Sequence, residues 1–317
     1  MTIMIREADP RTDYRRVAEL LSLVETHPIT EAMLHEWDAR KSEGQIRRRS
    51  VATTPDGAIV AYSGVLHESW KPTGWFLVWV MVDPTMRRQG IGAQVYDDAL
   101  QFASQHRAQV LESEVCDDDP AALHFAQQRG FEIERHVYHS ILPLTDFDDR
   151  PFAGVIEKVA AQGIRFTTLL AEGDTEQARR KLHALNYQAV HDDPANTSGT
   201  FSDFDEFNRV ISGGSWFNPA GQILAVDGDR YVGLAAVGAV ENTNAMQNLI
   251  TGVDRDYRGR GIAQALKLLT VYYAQAMGAD TITTNNDSQN GPMLAINRRL
   301  GYIPQPGVYR LIRSDSQ

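Results

Sequence analysis

The chain has a single cysteine, Cys116. It cannot form an internal disulfide, which favours a reducing compartment. No apolar run reaches the ~18 residues needed to cross a bilayer, and the N-terminus shows no signal-peptide pattern. Basic residues are outnumbered, with 31 Lys and Arg against 41 Asp and Glu. That argues against nucleic-acid binding through a broad basic face. The expectation is a cytoplasmic monomer or homodimer with neither a nucleic-acid nor a membrane partner. His136 and His139 fall on opposite faces of a strand-like segment with no supporting Cys or carboxylate cluster, so no metal site is expected. Two phosphate signatures are also missing. There is no Gly-Lys-(Ser/Thr), and a Gly-x-Gly-x-x-Gly fingerprint fails at Val95 in one place and Gln264 in the other.

What is present is a repeat. Arg87-Arg88-Gln89-Gly90-Ile91-Gly92 and Arg258-Gly259-Arg260-Gly261-Ile262-Ala263 both read Arg-x-x-Gly-x-(Gly/Ala). Each follows an apolar run ending in Val-Asp, at Val82-Asp83 and Val253-Asp254. Gly90 and Gly261 stand 171 residues apart, as do the Gly-aromatic pairs Gly130-Phe131 and Gly301-Tyr302 and the helix caps Asp119 and Asn290. Three landmarks held in register make the chain a duplicated domain. A length of 317 residues suits two domains. The expected division is 1–147, a linker at 148–161, and 162–317.

Each half reads as an α/β domain. Pro55-Asp56-Gly57 and Asp227-Gly228-Asp229 are hairpin turns between apolar runs. Trp75–Val82 and Met246–Val253 are apolar central strands. Helical stripes start at Ile91 and Ile262, and Val110–Cys116 and Thr281–Thr284 follow as strands. Asp119-Pro120 and Asn290 open helices that Gly130 and Gly301 end. Phe131–Leu142 is expected to close the first half. Tyr187–Phe207 reads as an acidic loop, and Cys116 as a small buried hydrophobe.

The repeated motif is a phosphate cradle. The first amides of a helix lack intrahelical partners and carry a partial positive charge. Glycine lets those amides approach a diphosphate closely, and neighbouring arginines add charge-assisted contacts.

Strand, Arg-x-x-Gly-x-(Gly/Ala), helix, strand, and a helix ending in Gly-Phe or Gly-Tyr resembles the GNAT superfamily of N-acetyltransferases. Two such halves resemble its tandem members, with an architecture similar to that of mycothiol synthase. The resemblance implies two tandem GNAT-like domains, each a mixed, mostly antiparallel sheet flanked by helices. It implies acetyl-CoA as co-substrate and acetyl transfer to a primary amine of a small molecule by direct attack on the thioester. The alternative is a non-catalytic acyl-CoA-binding or sensing module. Cofactor contacts carry over to Val82, Arg87, Arg88, Gln89, Gly90, Ile91 and Gly92 in the first half. In the second they carry over to Val253, Arg258, Gly259, Arg260, Gly261, Ile262, Ala263 and Asn290. The family's Tyr acid, four residues before the last glycine, is replaced here by Ala126 and Asn297. The central strands also lack the Glu that many members use as a base, so Glu241, at the end of the preceding strand, is the expected base; Tyr302 is a candidate acid, and the second half the expected catalytic one.

Overall fold

The computed structural model describes residues 2–24, 29–39, 44–69, 71–193, 201–214, 216–240 and 243–314. They fall into two compact units, one of residues 1–135 with 308–317 and the other of residues 136–307.

The first unit contains β1 (Met4–Glu7), α1 (Tyr14–Leu21), α2 (Glu31–Ala39), β2 (Ile46–Thr53), β3 (Ile59–His67), β4 (Trp75–Val82), α3 (Ile91–Gln105), β5 (Val110–Cys116) and α4 (Pro120–Gln127). Strands β1 to β4 pair antiparallel in sequence order, and β5 pairs parallel to β4. One face of this sheet buries Val17, Leu20 and Leu34 from α1 and α2. The other packs Phe76, Val78 and Leu111 with Tyr96 and Ala99 of α3. Fully burying a residue such as Leu111 contributes roughly 1.5–3 kcal/mol.

The second unit contains α5 (Val155–Ala160), β7 (Ile164–Thr168), α6 (Glu176–His191), α7 (Phe204–Gly213), β8 (Gln222–Asp227), β9 (Arg230–Ala239), β10 (Ala245–Val253), α8 (Ile262–Ala276), β11 (Thr281–Asp287) and α9 (Gly291–Leu300). Here β7 to β10 pair antiparallel in order and β11 pairs parallel to β10. The sheet buries Leu182, Leu185 and Phe207 of α6 and α7 on one face. It buries Ile262, Ala265 and Leu266 of α8 on the other. Gly233 on β9 makes that second packing possible. A Cβ there would stand 2.9 Å from Ile262 Cγ2 and 3.0 Å from Leu266 Cδ1. Gly233→Val is expected to lower stability by about 1–3 kcal/mol through overpacking and to weaken ligand binding at the start of α8. Urea denaturation and calorimetry on the same sample check both effects.

Two further strands close the sheets, and they correct one expectation. β6 (Glu132–Pro143) follows the first repeat in sequence, yet Val137–Pro143 pairs antiparallel with β11 in the second unit. β12 (Ile303–Ser314) follows the second repeat, yet Val308–Ser314 pairs with β5 in the first. Phe131–Leu142 thus forms a strand but does not close its own half. The two copies follow equivalent helices and make the same antiparallel pairing, so hydrophobic pattern cannot assign a partner to either.

Three smaller expectations also change. Part of the expected loop at Tyr187–Phe207 is helical, because α6 runs to His191 and α7 starts at Phe204, where Asp203 accepts a hydrogen bond from the Glu206 amide. β11 extends beyond Thr284 to Asp287, paired by β6. Cys116 is half-buried, because β5 ends there at the rim of a cavity. Among the described residues no helix is long and apolar enough to cross a membrane, and no group of three or more His, Cys, Asp or Glu could hold a metal ion.

Candidate active site

The two parallel strand pairs both come apart part-way along. β10 and β11 pair from Ala245 with Thr281 to Asn248 with Thr284, and no further. Beyond that point β10 stays bonded to β9 as far as Val253, and β11 stays bonded to β6 as far as Asp287. The facing edges therefore part as a fork with unpaired backbone groups along each arm. A register shift between Asn248 and Ile250 accompanies the parting, as expected of a bulge that re-aims a strand. In the first unit β4 and β5 likewise pair only from Trp75–Val110 to Leu77–Glu112, but β4 shows no such shift against β3.

The Gly-rich turns stand at the ends of these forks. Asp83 and Asp254 each accept a hydrogen bond from the amide two residues on, at 2.9 and 3.0 Å, which turns the chain out of the strand. Arg87 and Arg258 then donate Nε–H back to the strand-end carbonyls of Val82 and Val253, at 3.2 and 3.1 Å. Gly90 and Gly261 take φ of 77° and 85° as the residues before α3 and α8, and neither helix has a side-chain cap. By contrast, Asp119 and Asn290 cap α4 and α9 with side-chain oxygens. The amides that open α3 and α8 are thus left for an external anion. One copy is strained. The position occupied by Gly259, at φ 75°, is Arg88 in the first turn, at φ 64°, a region that costs a side-chain-bearing residue energy.

In the second unit, fork and turn open into one cavity of about 690 Å³. Its wall includes Val253, Arg258, Gly259, Gly261, Ile262, Ala263 and Asn290. Arg260 does not line it. Its Nε–H donates to Gln162 at 3.1 Å and its guanidinium lies over the Tyr257 ring. In the first unit the corresponding space consists of two smaller cavities of about 180 and 380 Å³, which share Phe125 and Arg129 in their walls. The Arg129 guanidinium stacks 3.5 Å from the Phe125 ring centre. Val82, Arg87, Arg88, Gly90 and Gly92 line the larger of these, whereas Ile91 is buried in the core. Gln89 lines neither, its side chain lying 4.0 Å from the Met86 sulfur.

The profile of the acetyltransferase (GNAT) family matches residues 14–131 and 181–302, most of the chain. The chain belongs to this family. Both matched stretches stop just before the exchanged strands β6 and β12. A mycothiol acetyltransferase of Geodermatophilus obscurus is 26% identical over 309 residues, covering 94% of each chain. One of Beutenbergia cavernae is 26% identical over 258 residues, covering 80% of each. Among solved structures, a GCN5-related N-acetyltransferase from Sphaerobacter thermophilus superposes with a TM-score of 0.63 at 20% identity, covering 98% of this chain and 95% of that one. A tandem GNAT protein from the clavulanic acid biosynthesis pathway gives 0.62 at 17%, covering 100% and 99%. The tandem GNAT fold and an N-acetyltransferase activity follow.

Within this GNAT chain the candidate catalytic groups are unevenly placed. Glu241 lies outside the described residues. Tyr302 is buried, its hydroxyl has no hydrogen-bond partner among the described residues, and burial raises its pKa. It is not part of the cavity wall. Asn248, Lys267 and Thr284, to which the sequence analysis assigned no role, line the cavity, as does Asp192 from the expected acidic loop. Lys267 carried a signal. It shares a helical stripe with Ala263, Val271 and Ala274, and Val271 and Ala274 are fully buried. A charge in that stripe is either a structural conflict or a functional group.

Asp192 closes α6 and accepts hydrogen bonds from both Arg255 (Nε at 2.8 Å) and Arg258. First Arg255 and then Arg258 hold its carboxyl below the usual carboxylate range. This acidic group therefore occupies the cradle's own arginine and is not free for a substrate amine. Asp192→Ala is expected to tighten acetyl-CoA binding about 3–10-fold, since a negative charge beside the diphosphate position disappears. Weaker binding in calorimetry would show that Asp192 instead holds Arg258 in place for the ligand.

Proposed function

We propose that the protein moves the acetyl group of acetyl-CoA onto a primary amine of a small molecule, and that the second repeat holds the reacting groups. One observation carries this reading: in the second unit, strand fork and anion cradle share a single cavity. A diphosphate would rest on the amides from Arg260 to Ala263 beside Arg258. The pantetheine arm would run along the unpaired edge of β10, supplying the strand partner that β11 withholds beyond Asn248. In the first unit the matching space is divided between two smaller cavities, which favours a supporting role for that repeat. Glu241, between β9 and β10 in sequence, is the proposed base that converts the acceptor ammonium to a reactive amine. The mycothiol acetyltransferase relatives support a small-molecule acceptor.

The test is calorimetric titration of acetyl-CoA followed by a thiol-detection assay for CoA release across a panel of small primary amines. The expected result is one binding site and turnover with at least one amine. Tight binding with no turnover across the panel would favour the non-catalytic binding module, and no binding would overturn the reading.

A further inference from the structure

Lys267 is 1% exposed, yet it is one of the residues that line the cavity at the base of the strand fork. Its Nζ donates to Asn248 Oδ1 at 2.6 Å and lies 4.8 Å from the centre of the Tyr302 ring. The orientation of Asn248 is fixed, because its Nδ2 donates to the Ala236 carbonyl at 3.2 Å and Thr251 Oγ1 donates to its Oδ1 at 3.1 Å. That oxygen can only accept. A neutral lysine that donates one N–H to Asn248 keeps its lone pair, and both residues line the cavity. The pair is peculiar to this repeat, since the equivalent positions in the first, allowing for the register shift in β10, are Val78 and Tyr96.

Among the described residues no carboxylate pairs with Lys267. Asp227 on β8, Arg230 on β9, Glu157 and Lys158 on α5, Asp287 on β11, and Arg298 and Arg299 on α9 belong to elements packed against α8, and Asp192, Asp193 and Arg258 line the same cavity. None of them shifts its titration. Burial alone pushes Lys267 down to about 7, so the neutral amine is available at physiological pH.

We propose that Lys267 is a catalytic residue that carries the proton of acetyl transfer from the acceptor nitrogen to the departing CoA sulfur. This rests on the reading of the site as an acetyl-CoA site. As the C–N bond forms, the nitrogen loses a proton to Nζ. As the C–S bond breaks, Nζ returns that proton to sulfur, and the lysine ends as it began. One group can serve both atoms because nitrogen and sulfur are bonded to the same carbon during the transfer. The arrangement also accounts for Asn297, which stands where related enzymes carry a Tyr acid. It is buried and donates to Asn286 at 2.7 Å, and its amide cannot supply a proton to sulfur.

The test starts with calorimetry of CoA and acetyl-CoA binding to wild type and to Lys267→Met. Thiolate absorbance of enzyme-bound CoA is then titrated in wild type, Lys267→Met and Lys267→Arg. The wild type is expected to lower the pKa of the bound thiol relative to Lys267→Met by a unit or more, about tenfold in ionisation. Lys267→Arg is expected to lower it as well, yet to lose turnover, because a guanidinium cannot accept the proton. In lysine-labelled protein, the 13Cε resonance missing from Lys267→Met should titrate near neutral pH and move when CoA binds. Equal thiol pKa values in wild type and Lys267→Met, or a Lys267 resonance titrating above pH 9.5, would overturn the assignment while leaving the acetyl-CoA site standing. Failure of the wild type to bind CoA or acetyl-CoA would overturn both.

Discussion

Lys267→Met is expected to make the protein more stable, by about 3–5 kcal/mol at pH 6. An unfolded chain holds the lysine proton up to 10.5, whereas the folded chain releases it at about 7. Between those values the unfolded state binds the extra proton, so wild-type stability rises with pH across the window, by roughly 1.4 kcal/mol per unit. Below 7 both states are protonated and the whole cost of burying the cation remains. Methionine has a similar length, no charge and adaptable packing, so the variant escapes that cost and lacks the lysine's rise in stability between pH 7 and 10. Urea denaturation at three or four pH values reads both curves. A variant less stable than wild type at pH 6, or a wild type with no slope above 7, would contradict the burial argument. Among the described residues no opposite charge offsets that cost, and the proposed role of Lys267 in the cavity would account for it.

The second large effect is expected from Gly261→Glu, which should weaken acetyl-CoA binding by about 100-fold or more. The residue sits at φ 85° immediately before α8, where the chain turns from strand end into cradle. Any side chain pays the left-handed penalty there, roughly 1–2 kcal/mol. Space is not the obstacle, since a Cβ would meet only Val159 Cγ2, at 3.5 Å. The carboxylate is the obstacle, because it competes for the amides and for Arg258 and repels a diphosphate. Losing charge-assisted contacts of this kind costs on the order of 3 kcal/mol, which corresponds to about 100-fold. Gly90→Glu serves as the control, with binding at the second unit expected to stay within about twofold of wild type. A circular-dichroism melt of each variant separates lost binding from lost fold. Equal losses from the two substitutions would mean that both cradles hold cofactor.

Most of the strand and helix order was legible because it rests on local chemistry. Side-chain caps at Asp119 and Asn290, wholly apolar β4 and the Gly-x-(Gly/Ala) turns each announce themselves within a few residues. The left-handed glycines that precede α3 and α8 were legible for the same reason. What escaped was long-range. Whether β6 pairs with β5 or β11 depends on a choice between two equivalent edges that periodicity does not encode. Asn248, Thr284 and Lys267 lie on three separate elements and become one wall only where β10 and β11 part. The reading of Asp192 as an acidic loop residue missed its partners because Arg255 and Arg258 are more than 60 positions away in sequence. Tyr302 was chosen for its place in a motif, but the motif that fixes its position also buries it behind the cavity wall.

The exchanged strands set the order in which the chain can finish folding. The unit at 136–307 is one unbroken stretch, whereas the other joins 1–135 to 308–317. On a ribosome adding about 5–20 residues per second, the first 135 residues wait roughly 9–36 s for β12 to be made. Throughout that interval the outer edge of β5 offers unpaired backbone groups to any passing strand. Of the two units, the one whose synthesis starts first is thus the one completed last, with an open strand edge for the whole of that interval.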